Sequence, residues 1–183
     1  LTAKKQSFDQ PLDLEFPNLK NVKVIELPYG LFWVPLLKFP VVEKIGKWLK
    51  KKFGKYLEPS YDPRNYWFYS TSPTFSKLAR NTDVVISTYG PEVAHIIGCK
   101  MKILNPSIFW IADYRDLWSD NPGLADASKE LKEKIQIKEK ETVGIHADLI
   151  TSVSDDFCKR LGKFLKKPTL KITNGYDIEV IKS

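Results

Sequence analysis

Four short runs rich in Val, Ile and Thr recur from residue 83 onward: 83–88 (DVVIST), 107–112 (SIFWIA), 148–153 (DLITSV) and 169–173 (TLKIT). Between them lie stretches with helical spacing, at 91–103, 126–143 and 155–164. Strands of this composition alternating with helices imply βαβ units and a parallel sheet. An earlier run, 22–27 (VKVIEL), reads as a further strand. The expected class is therefore α/β: a Rossmann-like, mostly parallel sheet with helices on both faces, spanning residues 1–183 as one domain. No internal repeat or low-complexity tract interrupts it.

The chemically unusual residues follow the strands. STYGPEVAH comes after 83–88, DYRDLW after 107–112, SDD after 148–153 and NGYD after 169–173. In open parallel sheets, ligands bind at the carboxyl edge, where βα loops and helix N-termini converge. Four clusters on one edge make a crevice the natural expectation. Asp113, Arg115, Asp116 and Trp118 fall within six positions, a combination costly to bury without partners. One reading is a structural Arg–Asp pair pinning the loop; the other is a binding site, and the two can coexist. Gly90-Pro91 reads as a turn into a helix with Pro at the first position, whose free N–H groups suit an anion. Ser154-Asp155 reads as a helix cap and Asn174-Gly175 as a tight turn. His146, at a helix-to-strand junction, reads as structural.

Composition narrows the partners. The net charge of +7 favours anions: a nucleotide, a phosphorylated lipid, a membrane surface or a nucleic acid. No nucleic-acid motif is present, so no nucleic-acid partner is expected. Cys99 and Cys158 have neither metal spacing nor a redox motif and are expected as reduced, inert thiols, with no metal site. The stretch from Ile25 to Leu37 is interrupted by Pro28 and Pro35, and is too short for the roughly 20 residues of a membrane-spanning helix. No G-x-G-x-x-G follows any visible strand, which counts against a second class, another nucleotide-binding α/β enzyme such as a dehydrogenase.

The segment from Asp83 to Asp177 resembles the N-terminal domain of family 4 retaining glycosyltransferases of the GT-B fold. Four motifs carry the resemblance, in the family's order: Ser87-Thr88-Tyr89-Gly90-Pro91 with His95 on the next helix; Asp113-Tyr114-Arg115-Asp116-Leu117-Trp118, similar to D-F-R-D-P-W; Ala147-Asp148 through Val153-Ser154; and Thr173-Asn174-Gly175-Tyr176-Asp177, with threonine where proline is usual. The first 82 residues carry little of it. Beside that family, the chain is expected to be a fragment. Leu1-Thr2-Ala3-Lys4 looks like the tail of the second strand, and residues 174–183 lead toward a C-terminal donor-binding domain that the sequence does not contain.

The resemblance implies a hexosyltransferase that moves a sugar from a nucleotide-sugar donor to a glycan, lipid-linked or small-molecule acceptor, as in polysaccharide biosynthesis. This part would be the acceptor side of the cleft and inactive alone. It implies a cytoplasmic enzyme with the nucleotide sugar as substrate and no cofactor. His95 becomes the counterpart of a histidine that contacts the transferred sugar. Glycosyl transfer needs an orienting partner for the acceptor hydroxyl and neutralisation of a departing phosphate. Asp116 suits the first as a carboxylate ionised at neutral pH, and ranks above Asp113 because it lies further into the loop. Arg115 suits a phosphate or a neighbouring Asp, Trp118 a sugar face, and Gly90 the turn beside them.

One further stretch, 41–56 (VVEKIGKWLKKKFGKY), holds six lysines and one glutamate. Lys44, Lys47, Lys51 and Lys52 accompany Trp48 and Phe53 at helical spacing, the pattern of a basic amphipathic helix on an anionic membrane surface. An ordinary surface helix with its apolar face on the sheet fits the same pattern. The third class is thus a basic membrane-surface module. In the enzyme reading the same stretch would attach it to the inner face of the membrane.

Overall fold

The computed structural model describes residues 2–3, 23–27 and 67–175, so the readings on the basic segment 41–56, with Lys44, Lys47, Trp48, Lys51, Lys52 and Phe53, and on residues 176–183 lie outside the described residues. The chain divides into two compact units, Leu1–Pro73 and Thr74–Ser183.

In the first unit, strands β1 (Thr2–Ala3) and β2 (Glu26–Leu27) pair in parallel, Thr2 with Glu26 and Ala3 with Leu27. Of the expected strand 22–27, the described residues 23–27 are strand only at Glu26–Leu27. The indole of Trp67 donates to the Leu27 carbonyl (3.3 Å). Helix α1 (Trp67–Ala79) begins there and has no counterpart among the sequence expectations. Its buried stripe is Trp67, Thr71, Phe75 and Ala79, one residue every four, which is a helix face. Within it, the Thr71 hydroxyl donates back to the Trp67 carbonyl (2.6 Å), a local bond that lets threonine sit inside a helix with no polar group stranded.

The second unit is an α/β arrangement of Rossmann-like type. Four strands, β3 (Val84–Thr88), β4 (Phe109–Tyr114), β5 (Leu149–Ser152) and β6 (Thr169–Lys171), form a parallel sheet in the order of the sequence. Between them run α2 (Val93–Leu104), α3 (Lys129–Glu139) and α4 (Asp155–Leu165). A 3₁₀ turn (Pro122–Leu124) precedes α3, and a π-helical segment (Lys140–Gly144) follows it. The expected charged helix 126–143 therefore starts three residues later, at Lys129, changes its winding at Lys140 and continues past residue 143. Strand order without reversal, combined with right-handed crossovers, sends the three connections to one face. Burial agrees: Ser87, Trp110, Ala112, Tyr114, Ile150 and Ser152 are buried, whereas Val84, Ile86, Phe109 and Leu170 on the alternate positions are about half exposed or more.

Two connections explain how the loops are set. Asp148 sits before β5 and accepts from the Trp110 backbone N–H (2.7 Å) and the Lys102 ammonium (2.9 Å), while Lys102 also donates to the Ile108 carbonyl (2.6 Å). Burial pushes the Asp148 carboxyl up, but the Trp110 N–H and Lys102 outweigh it and hold the group below the usual carboxylate range. One charged pair thus joins the end of α2 to the start of β4 and β5. On the opposite side, Ser154 caps α4 by accepting from the Phe157 N–H (3.2 Å), as the sequence indicates. Strand β4 departs from expectation. It runs to Tyr114 rather than ending at residue 112, because Asp113 and Tyr114 stay in ladder register with Thr151 and Ser152.

Candidate functional site

All four strands are parallel, so the stretches after β3, β4, β5 and β6 leave the sheet at the same edge. The first of them turns at Gly90, whose φ of 104° suits glycine because a Cβ is strained there. Before the turn, the Tyr89 N–H donates to the Asp113 carbonyl (2.8 Å), which holds the loop beside the end of β4. Pro91 lies ahead of α2 and is not its first residue: Glu92 is the N-cap. The N–H groups of Ala94 and His95 turn back to the Pro91 and Glu92 carbonyls (3.2 and 3.0 Å), and the Glu92 carboxylate pairs with Lys138 (2.9 Å). The helix start therefore has fewer N–H donors for an anion than the sequence suggests, and a carboxylate already lies beside it.

His95 enters from the first turn of α2 and is completely buried. Its Nδ1 lies 2.8 Å from the Ser87 hydroxyl, whose oxygen accepts from the Trp110 indole N–H (2.9 Å). Its Nε2 has no hydrogen-bond partner among the described residues. The rings of Tyr114, Tyr89 and Trp118 surround it at centroid distances of 4.8, 5.8 and 6.2 Å. Removal from water disfavours the imidazolium, and burial lowers the pKa of His95 to about 3, so the ring is neutral. Gly98, one helical turn on, is what lets α2 approach this closely: a Cβ there would stand 2.5 Å from the Trp110 indole nitrogen.

The residues of DYRDLW part company. Asp113 and Tyr114 alternate across the strand, so they serve opposite faces. On one face, Asp113 accepts from the Thr151 hydroxyl (2.7 Å) and lies 3.8 Å from the mostly exposed guanidinium of Arg115. That pair is loose and solvated, and is worth little to stability. Asp116 is exposed and makes no side-chain bond among the described residues. Trp118, expected to offer an aromatic face to a ligand, is 2% exposed and spends that face on Tyr89 and His95. The structure thus brings His95 and Trp118 together with Gly90 close by, pairs Asp113 with Arg115 on the other face, and leaves Asp116 apart.

Three contributors escape a sequence reading. Ser119 ends the loop in a buried position, where its N–H donates to the carboxylate of Glu139 (3.0 Å). Glu139 is itself buried, and burial pushes its pKa up, while Ser119 and the nearby Tyr114 hydroxyl pull it back. Tyr114 is shifted well above the usual phenol range by burial, then by the Glu139 charge, and its hydroxyl makes no hydrogen bond of good geometry among the described residues. In the sequence, Glu139 is one acid among many in a charged helix, Trp110 reads as plain strand core and Tyr114 as part of the loop after the strand. Only the strand register reveals that Ser87, Trp110 and Tyr114 share the face on which α2 lies.

Among the described residues, no cluster of His, Cys, Asp and Glu could hold a metal ion, and no helix is long and apolar enough to cross a membrane. No family model and no curated protein matches the chain.

Proposed function

We propose that this chain is the N-terminal, acceptor-side part of a retaining GT-B glycosyltransferase that uses a nucleotide-sugar donor. The observation that carries the reading is the seat of His95: directly behind the Gly90 turn, neutral, with one ring nitrogen unengaged, at the sheet edge where Asp116 stands exposed. A neutral imidazole bonds to a sugar oxygen without adding charge, whereas an exposed carboxylate accepts the proton of an acceptor hydroxyl. Arg115, mostly exposed and only loosely held by Asp113, can leave that carboxylate for a phosphate.

Burial of His95 sets one condition. Of the three rings around His95, Tyr114 and Trp118 are buried and Tyr89, next to the Gly90 turn, is half-buried, so Tyr89 is the one placed to move aside for a donor. Such gating excludes water from the reacting centre until the donor is bound. Glycan or lipid-linked acceptors fit the same edge, and attachment of segment 41–56 to an anionic membrane surface belongs to this reading.

The test uses the complete natural chain, screened against a panel of sugar nucleotides for hydrolysis and binding, with His95→Ala alongside. Turnover of one donor, lost in the variant, supports the reading. Absence of both turnover and binding for every donor overturns it.

A further inference from the structure

We propose that Ser87 and Trp110 fix His95 as the neutral Nε2–H tautomer, so that the site offers a ligand oxygen a hydrogen-bond donor and not a general base. The argument is one of proton counting. An indole nitrogen only donates, so the 2.9 Å contact makes the Ser87 oxygen an acceptor from Trp110. The 2.8 Å contact with His95 Nδ1 then runs in one of two directions. If Nδ1 carries the proton and donates, the serine oxygen accepts twice and its own proton has no acceptor among the described residues. Nε2 would then be a bare acceptor, also without a partner. That arrangement strands two polar groups in a site where Ser87, His95 and Trp110 are all buried. If the serine hydroxyl donates to Nδ1, both contacts are satisfied and only the Nε2–H remains over. Buried groups without partners are costly, so the second arrangement wins.

The consequence is chemical. Nδ1 is committed to Ser87, and Nε2 already holds a proton, so His95 has no lone pair free to take one from a substrate. It has one N–H, enclosed by Tyr89, Tyr114 and Trp118, that lacks an acceptor among the described residues. What completes it is an oxygen, of a hydroxyl or a phosphate. Naming that oxygen as part of a sugar nucleotide rests on the glycosyltransferase reading; the tautomer does not. Ser87 and Trp110 are positioning residues, and Gly98 is the gap through which they reach the ring.

Nitrogen-15 NMR of the imidazole groups tests this. The chain has only two histidines, His95 and His146, so assignment is simple. The expected spectrum shows the His95 proton on Nε2 and a bare, hydrogen-bonded Nδ1. In Ser87→Ala the Nδ1 resonance moves to the position of an unbonded imine nitrogen, while backbone amides remote from the site stay in place. A proton on Nδ1 in the native protein overturns the proposal, even if Ser87→Ala does not fold, and so does an Nδ1 resonance unmoved by Ser87→Ala. Failure of every sugar nucleotide to bind bears on the glycosyltransferase reading alone.

Discussion

Asp113 and Asp116 are three positions apart and differ in almost everything that decides a role. Asp113 is spent on Thr151 and faces Arg115, whereas Asp116 is exposed and has no side-chain partner among the described residues. Replacement should separate them. On the glycosyltransferase reading, Asp116→Asn in the complete natural chain is expected to lower turnover by about a hundredfold or more, as for loss of a general base, with no change in unfolding midpoint. Asp113→Ala is expected to cost about 1 kcal/mol, because a hydrogen-bonded hydroxyl on β5 loses its acceptor. Turnover and denaturant unfolding of both variants check the pair; equal turnover loss with equal destabilisation would assign the whole loop to structure. His95 makes a separate prediction about acid. Its folded-state pKa, about 3, lies below the ordinary 6.5, so the unfolded chain binds the extra proton between those values. The neutral ring's contribution is complete above pH 6.5 and is lost as pH falls toward 3, by about 1.4 kcal/mol per unit across that window. His95→Gln should flatten that part of the profile in urea unfolding measured from pH 7 to pH 4.

At the level of elements, the approach of α2 to β4 is the tightest constraint. Gly98 has no room for a methyl group, since its Cβ would meet the Trp110 indole at 2.5 and 2.7 Å and the Ser87 hydroxyl at 3.1 Å. Gly98→Ala gains helix propensity but must push the indole aside. The clash wins, and the expected net cost is about 1–3 kcal/mol. The same variant should shift the His95 imidazole resonances, because the Trp110–Ser87 bond cannot survive displacement of the ring; a more stable protein with unchanged resonances would show that the gap is not used. The sequence shows the existence of α2, α4 and strands β3 to β6 well, because each has an apolar period matching its winding. It shows their ends poorly. The polar pair Asp113-Tyr114 looks like loop, yet the ladder to Thr151 and Ser152 keeps it in β4. Helix α1 goes unseen because Pro73 and its Ser and Thr residues argue against a helix, and only burial of Trp67, Thr71, Phe75 and Ala79 along one stripe reveals it.

At the scale of the molecule, the strand-end rule carries the candidate site from sequence to fold: three clusters chosen only for unusual chemistry, and Asn174-Gly175 of the fourth, follow parallel strands that end at one edge of the sheet. What the rule cannot supply is depth. It treats His95, Trp118 and Asp116 alike, while folding buries the first two and exposes the third, since burial depends on which helix covers which strand. The two cysteines turn that covering into a measurement. Cys99 and Cys158 lie on α2 and α4, the helices on either side of the sheet's helical layer, and both are free and buried. Burial pushes the Cys99 thiol up to about 11, against a small opposing effect of Lys100, and raises Cys158 as well. At pH 8 the thiolate fraction of Cys99 is then about a thousandth, and the little that forms is shielded from reagent. Alkylation of the native protein should therefore proceed only through opening of the helical layer. Both thiols are expected to react together, at a rate that rises with denaturant along the same slope as global unfolding. A thiol that reacts fast in buffer, with a rate insensitive to denaturant, would show that its helix separates from the sheet on its own. If that thiol were Cys99, the layer holding His95 against Ser87 would be the mobile part of the molecule.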